Sequence, residues 1–279
     1  MISYKKVKQK CVEGRFFPYD DWRDKLFVPP SIFLTWLFVN LRISANIVSL
    51  ISGLVAIIGG VMITSENNYI VLGGSFGYMI YYLLDYVDGG VARFNGNIGV
   101  GGQYVDWIMH VVSSISIFTG IFIVAFNIEG NWIVPFGILT IVSVALSLDK
   151  YSFAWFSIIM YQQQQKEKLY PSKPKPIEIN NINIPRNNMV KFFRKFTTLI
   201  FHENYVIFYL PILTYFTLFT SFSLIDFRVV IILIGGLIYF PIIINDIFRI
   251  AKNSKIDKSY NEIFFENKKP NLPKDHFIE

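Results

Sequence analysis

Apolar positions along the chain gather into six runs, at roughly residues 45–64, 69–88, 103–126, 132–151, 204–223 and 227–248. Each is about 20 residues long, the length a helix needs to cross a bilayer. The connections at 65–68, 127–131 and 224–226 are short, which predicts antiparallel neighbours packed as a bundle. Ahead of the first run, Ser31 to Asn40 (SIFLTWLFVN) follows the Pro29-Pro30 pair, which punctuates the chain. That segment is apolar, carries Trp36 and is too short to span, so it predicts an amphipathic helix lying at the interface. The predicted fold class is an all-α integral membrane protein with six transmembrane helices. No internal repeat is found.

This pattern divides the chain into an N-terminal segment with the interfacial helix (1–44), a transmembrane domain (45–248) and a polar tail (249–279). Within the domain, the long loop 161–203 opens with a Gln run (162–165) and the stretch PSKPKP, a composition suited to a solvated linker. It closes with Lys191, Arg194 and Lys195 alternating with Phe192, Phe193, Phe196, Leu199 and Ile200. That amphipathic pattern fits the inner leaflet, with an anionic acceptor as the rival partner for the three cations. Of 26 Lys and Arg, every one except Arg228 falls on one side of the predicted spans. The positive-inside rule therefore predicts both termini, and the loop after the second span, in the cytoplasm. The setting expected is a bacterial inner membrane.

Composition narrows the function classes. With 53% hydrophobic, 17% aromatic and 16% charged residues, the chain does not read as a soluble domain around one core. The net charge of +6 is dispersed between apolar spans rather than gathered on one module, which argues for membrane lipids and against nucleic acid. The single cysteine, Cys11, excludes an intramolecular disulfide framework and a thiolate zinc cluster. The first 25 residues mix Lys, Arg, Asp and Glu without an apolar core, so no cleavable signal peptide is expected and the first span directs insertion.

Against this background Asp85, Asp88 and Asp106 stand out, because a carboxylate in or beside a span costs about 2.5–3.5 kcal/mol on insertion scales. Asp85, Asp88 and Ala92, with Gly89 beside them, share one face at the end of the second span, and Gly102, Asp106 and His110 form a stripe on the third. Facing stripes would surround one small volume with three carboxylates and an imidazole. Such ligands suit Mg²⁺, Mn²⁺ or Ca²⁺ rather than a soft metal. Gly89, Gly90, Ala92 and Gly102 permit either close helix packing or close approach of a flat ligand. Beside three acidic residues we favour the ligand. Arg93 is placed to meet a phosphate or to pair with an Asp.

The order Asp85-x-x-Asp88-Gly89-x-x-Ala92-Arg93, eight residues, Gly102, three residues, Asp106, three residues and position 110 resembles the signature of the CDP-alcohol phosphotransferase family. The family signature ends in a fourth Asp, where this chain has His110. A looser likeness extends over roughly residues 30–250, with Ala45-Asn46-Ile-Val-Ser49 where the family often has Pro-Asn-x-x-Thr. The resemblance implies transfer of a substituted phosphate from a CDP-linked alcohol to an acceptor hydroxyl with release of CMP, in phospholipid or related phosphodiester synthesis. It assigns Asp85, Asp88 and Asp106 to Mg²⁺ or Mn²⁺, with Gly89, Ala92, Arg93, Gly102 and Asn46 around the nucleotide. One of the two substrates would be a lipid, and a homodimer fits the family.

The departure at 110 leaves three readings for His110: a general base in place of the family's carboxylate, a metal ligand, or a loss that leaves an inactive CDP- and metal-binding protein. An imidazole with a reference pKa of about 6.5 is a competent base at neutral pH, and we favour that role. A divalent-cation or solute transporter is the remaining alternative, but no further acidic residue continues through the second or third span to form a path. Asn46 and Ser49 read equally as site residues or as helix-start polar groups. Asp149, Lys150, Asn245 and Asp246 read as interfacial residues, and His202 and His276 receive no role.

Overall fold

A computed structural model describes residues 2–13, 22–96, 100–147, 188–220 and 226–252. Among these residues every regular element is helical. The helices are α1 (Tyr4–Glu13), α2 (Trp22–Asn40), α3 (Ala45–Ile63), α4 (Asn68–Asn95) and α5 (Val100–Glu129). They continue as α6 (Asn131–Ser147), α7 (Asn188–Phe201), α8 (Glu203–Phe219), α9 (Phe227–Ile234) and α10 (Phe240–Lys252). A π-helical turn, Gly235–Tyr239, joins α9 to α10.

Four helical stretches are long and apolar enough to cross a membrane: Ala45–Ile63, Asn68–Asn95, Gly101–Glu129 and Phe227–Phe248. They match the first, second, third and sixth runs. The fifth run is met by a pair bent by 72° between Lys191–Phe201 and Tyr205–Phe219, which makes a fifth span if counted as one. The fourth run is helical over Asn131–Ser147, short of a span. Its end, with Asp149 and Lys150, lies outside the described residues, as do most of the expected linker and the tail beyond 252.

The punctuation expected at Pro29-Pro30 is not observed: α2 runs unbroken through both prolines. Proline removes a backbone donor and clashes with the preceding turn. Burial of Phe27, Ile32, Thr35 and Val39 offsets that cost, and the Ser31 hydroxyl donates to Val28 O at 2.9 Å. The polar segment before it also folds. Helix α1 packs on α2 and α4, with Trp36 Nε1 donating to Ile2 O at 2.8 Å and Tyr4 edge-on to Trp36.

Local signals set the ends of the helices that carry the site. Helix α3 starts at Ser44, whose side chain accepts from Ile47 N. Helix α4 starts at Asn67, which caps Tyr69 N, and stops at Gly96 with φ 71°. The turn between α2 and α3 places Arg42 at φ 58°, with Ile43 N bonded back to Phe38 O and Arg42 N to Val39 O. This is a Schellman end in which an arginine takes the position that glycine usually fills.

Helix α3 shows how these elements pack. Its large residues Ile47, Leu50, Leu54, Ile57, Ile58 and Val61 are exposed, whereas Ser49, Ser52, Gly53, Ala56, Gly59 and Gly60 are buried. Small residues inside and large apolar residues outside suit a helix solvated by lipid. The inner stripe lets α3 wedge between α4 and α5 at backbone distance. A Cβ on Gly60 would lie 2.6 Å from Ser116 O, one on Gly120 2.4 Å from Gly60 O, and one on Gly74 2.7 Å from Gly59 O. Helices α4 and α5 touch each other over a much shorter length, and α8 and α9 close the bundle against α4 and α5 respectively. The layer Phe118–Phe201–Tyr239 ties α5, α7 and the π turn together, with ring centroids 5.4 and 4.5 Å apart.

Candidate active site

The two acidic stripes meet because their helices are antiparallel and equally deep. Asp85 lies ten residues before the end of α4 at Asn95, and His110 lies ten residues after the start of α5 at Val100. At 1.5 Å per residue each is about 15 Å from the loop between them. His110 Nε2 is 3.2 Å from Asp85 Oδ1 and 3.6 Å from Asp106 Oδ1. One ligand atom from each of Asp85, Asp106 and His110 fits within 4.8 Å of the others, a set that could hold a metal ion. The side chains of His110 and Asp85 are 21% and 22% exposed and that of Asp106 is 38% exposed, so the cluster is open on one side.

Asp88 is held differently. It is buried and accepts a hydrogen bond at 2.6 Å from Ser49 Oγ, which turns one of its oxygens toward α3 and leaves it outside the tight set. Ser49 is itself buried and within 3.2 Å of Ala45 O. Its neighbour Asn46 is exposed, with Oδ1 3.5 Å from where a Cβ on Gly102 would stand. The start of α3 thus reaches both halves of the motif.

The small residues separate into two groups. Gly90 belongs to packing, since a Cβ there would lie 2.5 Å from Thr35 Oγ1 on α2. Gly89 and Gly102 meet no neighbouring backbone: their nearest atoms are the Arg93 guanidinium and Asn46. Ala92 is half-buried. These three leave space along one side of the acidic cluster, where a flat ligand could approach.

Arg93 is anchored from an unexpected direction. Its Nε donates to Cys11 O at 3.2 Å, near the end of α1, where unsatisfied carbonyls and the helix dipole favour a cation. Cys11 Sγ lies 3.7 Å from Gly90 O, and Lys10 Nζ donates to Phe94 O at 3.3 Å and lies over the Phe94 ring. The N-terminal helix therefore clasps the last turns of α4.

No protein-family model matches the chain, and no curated protein matches it significantly. Function must therefore be argued from the site.

Sequence reasoning missed three features of the site region. Tyr81, outside the motif, places its hydroxyl 2.6 Å from His110 Nδ1. Its four-residue offset from Asp85, one turn deeper on the same face, was the available signal. The clasp by α1 uses a backbone carbonyl and left no such signal. Arg194, read as one of three leaflet-facing cations, forms an ion pair with Asp246, and both are largely buried. Lys191 and Lys195 remain exposed.

Proposed function

We propose that the chain is a membrane-embedded, metal-dependent transferase of the CDP-alcohol phosphotransferase type. The observation that carries this reading is the convergence of Asp85, Asp106 and His110 within 4.8 Å, at the spacing that resembles the family signature. Two carboxylates and an imidazole fit a hard or borderline divalent cation such as Mg²⁺ or Mn²⁺. Asp85 and Asp106 would hold it, and Asp88, outside the tight set, would join them through the oxygen that Ser49 does not engage. A bound cation of this kind would neutralise charge that develops on the departing CMP.

The chain's own groups supply the rest. The acceptor oxygen attacks the phosphorus that carries the alcohol, a new P–O bond forms, and the bond to the bridging pyrophosphate oxygen breaks. The electron pair leaves with CMP. His110 Nε2, facing the carboxylates, takes the proton from the acceptor hydroxyl. Arg93, braced on Cys11 O and lying against Gly89, would meet a phosphate, and Gly89, Ala92, Gly102 and Asn46 would border the nucleotide. The six apolar runs are six spans in this reading, with residues 31–40, the second half of α2, at the interface. The distribution of Lys and Arg puts the site, and both termini, on the cytoplasmic side. A soluble or lipid-linked nucleotide would reach the site there and meet a substrate from the other phase.

Purified protein in lipid, given Mg²⁺ or Mn²⁺ and a panel of CDP-alcohols with hydroxyl acceptors, should release CMP with at least one donor. Chelation should stop that release. Cation flux into liposomes in the absence of CMP release would instead support the transporter reading, and nucleotide binding with neither would mark an inactive homologue.

A further inference from the structure

The Nδ1 side of His110 is taken by a residue outside the motif. Tyr81 is 1% exposed, its hydroxyl lies 2.6 Å from Nδ1, and its ring meets the imidazole edge-on with centroids 6.0 Å apart. The Tyr81 ring also stacks on Tyr78, 5.3 Å away and tilted by 10°. We propose that Tyr81 is a positioning residue for His110: by engaging Nδ1 it turns Nε2 alone toward Asp85 and Asp106. This inference rests on the proton-acceptor role given to His110 above and extends it.

The substitution at position 110 creates the need for such a residue. A carboxylate offers two equivalent oxygens, so rotation about its last bond changes little. An imidazole has two nitrogens on different edges of the ring, and a half-turn would take Nε2 away from the reacting volume. A phenol can donate to Nδ1 or accept from it, so the contact persists whether or not Nδ1 carries a proton. Tyr81 has few ways to move, since a buried tyrosine has two side-chain dihedrals and this one is packed against Tyr78 within the core. It sits one turn deeper than Asp85 on the same face of α4, and that register directs its hydroxyl at the ring.

The test uses the full-length protein in lipid nanodiscs with ¹⁵N-labelled histidine, as wild type, Tyr81→Phe, His110→Asp and the double variant. The chain has 3 histidines, and the His110 signals are those lost in His110→Asp. In Tyr81→Phe the His110 Nδ1 resonance should move while the other two histidines keep theirs. The kcat for CMP release should fall about 10- to 100-fold, the range found when the hydrogen-bond partner of a metal-ligating histidine is removed, with KM for the CDP-alcohol little changed. In the His110→Asp background, which has no imidazole to hold, Tyr81→Phe should cost almost nothing. An unmoved Nδ1 resonance, or an equal loss in both backgrounds, overturns the proposal by making Tyr81 a packing residue only. If the wild type releases no CMP from any donor, the assigned reaction fails, and the resonance still decides the Tyr81–His110 contact.

Discussion

Ser49 offers the sharpest perturbation of the site that leaves every proposed ligand in place. Its hydroxyl donates to Asp88 Oδ2 at 2.6 Å, and the two residues are 3% and 6% exposed. A hydrogen bond to a charged group is worth about 1.5–3 kcal/mol. Ser49→Ala removes the donor and leaves a carboxylate oxygen buried, so the fold should lose about that amount. The expected readout is a fall of several degrees in the thermal midpoint of the protein in detergent. Asp88 should also lose its orientation toward α3, and Mn²⁺ affinity, followed by the electron paramagnetic resonance of free Mn²⁺, should change with it. Ser49→Thr keeps the hydroxyl and should restore both properties. The reasoning is refuted if Ser49→Ala melts and binds Mn²⁺ as the wild type does, or if the threonine variant is as impaired as the alanine variant.

Two further outcomes follow from the same geometry. His110→Asp, which completes the acidic signature, should retain or increase CMP release and His110→Ala should abolish it, as measured by steady-state turnover; full activity in the alanine variant would eliminate the base role. Gly60→Leu should destabilise the bundle by at least about 1–3 kcal/mol, the usual cost of overpacking, because even a Cβ there would stand 2.6 Å from Ser116 O. By separating α3 from α5 it should also lower CMP release, and a melting curve unchanged from wild type would contradict that packing.

The features legible in the sequence were those with a local period. Asp85, Asp106 and His110 could be placed together because helical spacing fixes a face and a short connection fixes an antiparallel partner. The four long spans could be placed because about 20 apolar residues have few other uses. Features that depend on contacts distant along the chain were not legible. The clasp of α1 on α4 passes through the carbonyl of Cys11, which any residue would provide. The passage of α2 through Pro29 and Pro30 depends on burial against α4, which propensity does not report. The 72° bend between α7 and α8, which joins the amphipathic segment to the fifth apolar run as one candidate span, has no counterpart in the period of either segment. Arg194 reads as a surface cation until Asp246, 52 residues away, is brought beside it.

Asn46 and Ser49 show the boundary between these cases. Either could have been a helix-start polar group or a site residue, and the chain uses Ser44 for the cap instead. That leaves Ser49 for Asp88 and puts Asn46 beside Gly102. Neither assignment could be made before α3 was placed between α4 and α5.

The most direct measurement of the central claim is the stoichiometry of the reaction in reconstituted membranes, with CMP and the new phosphodiester quantified together from one CDP-alcohol and one acceptor. Equal amounts of the two are predicted, dependent on a divalent cation and absent in Asp106→Asn. CMP formed without phosphodiester, or equal yields that persist in Asp106→Asn, would contradict the assignment of this cluster as a metal-dependent transferase site.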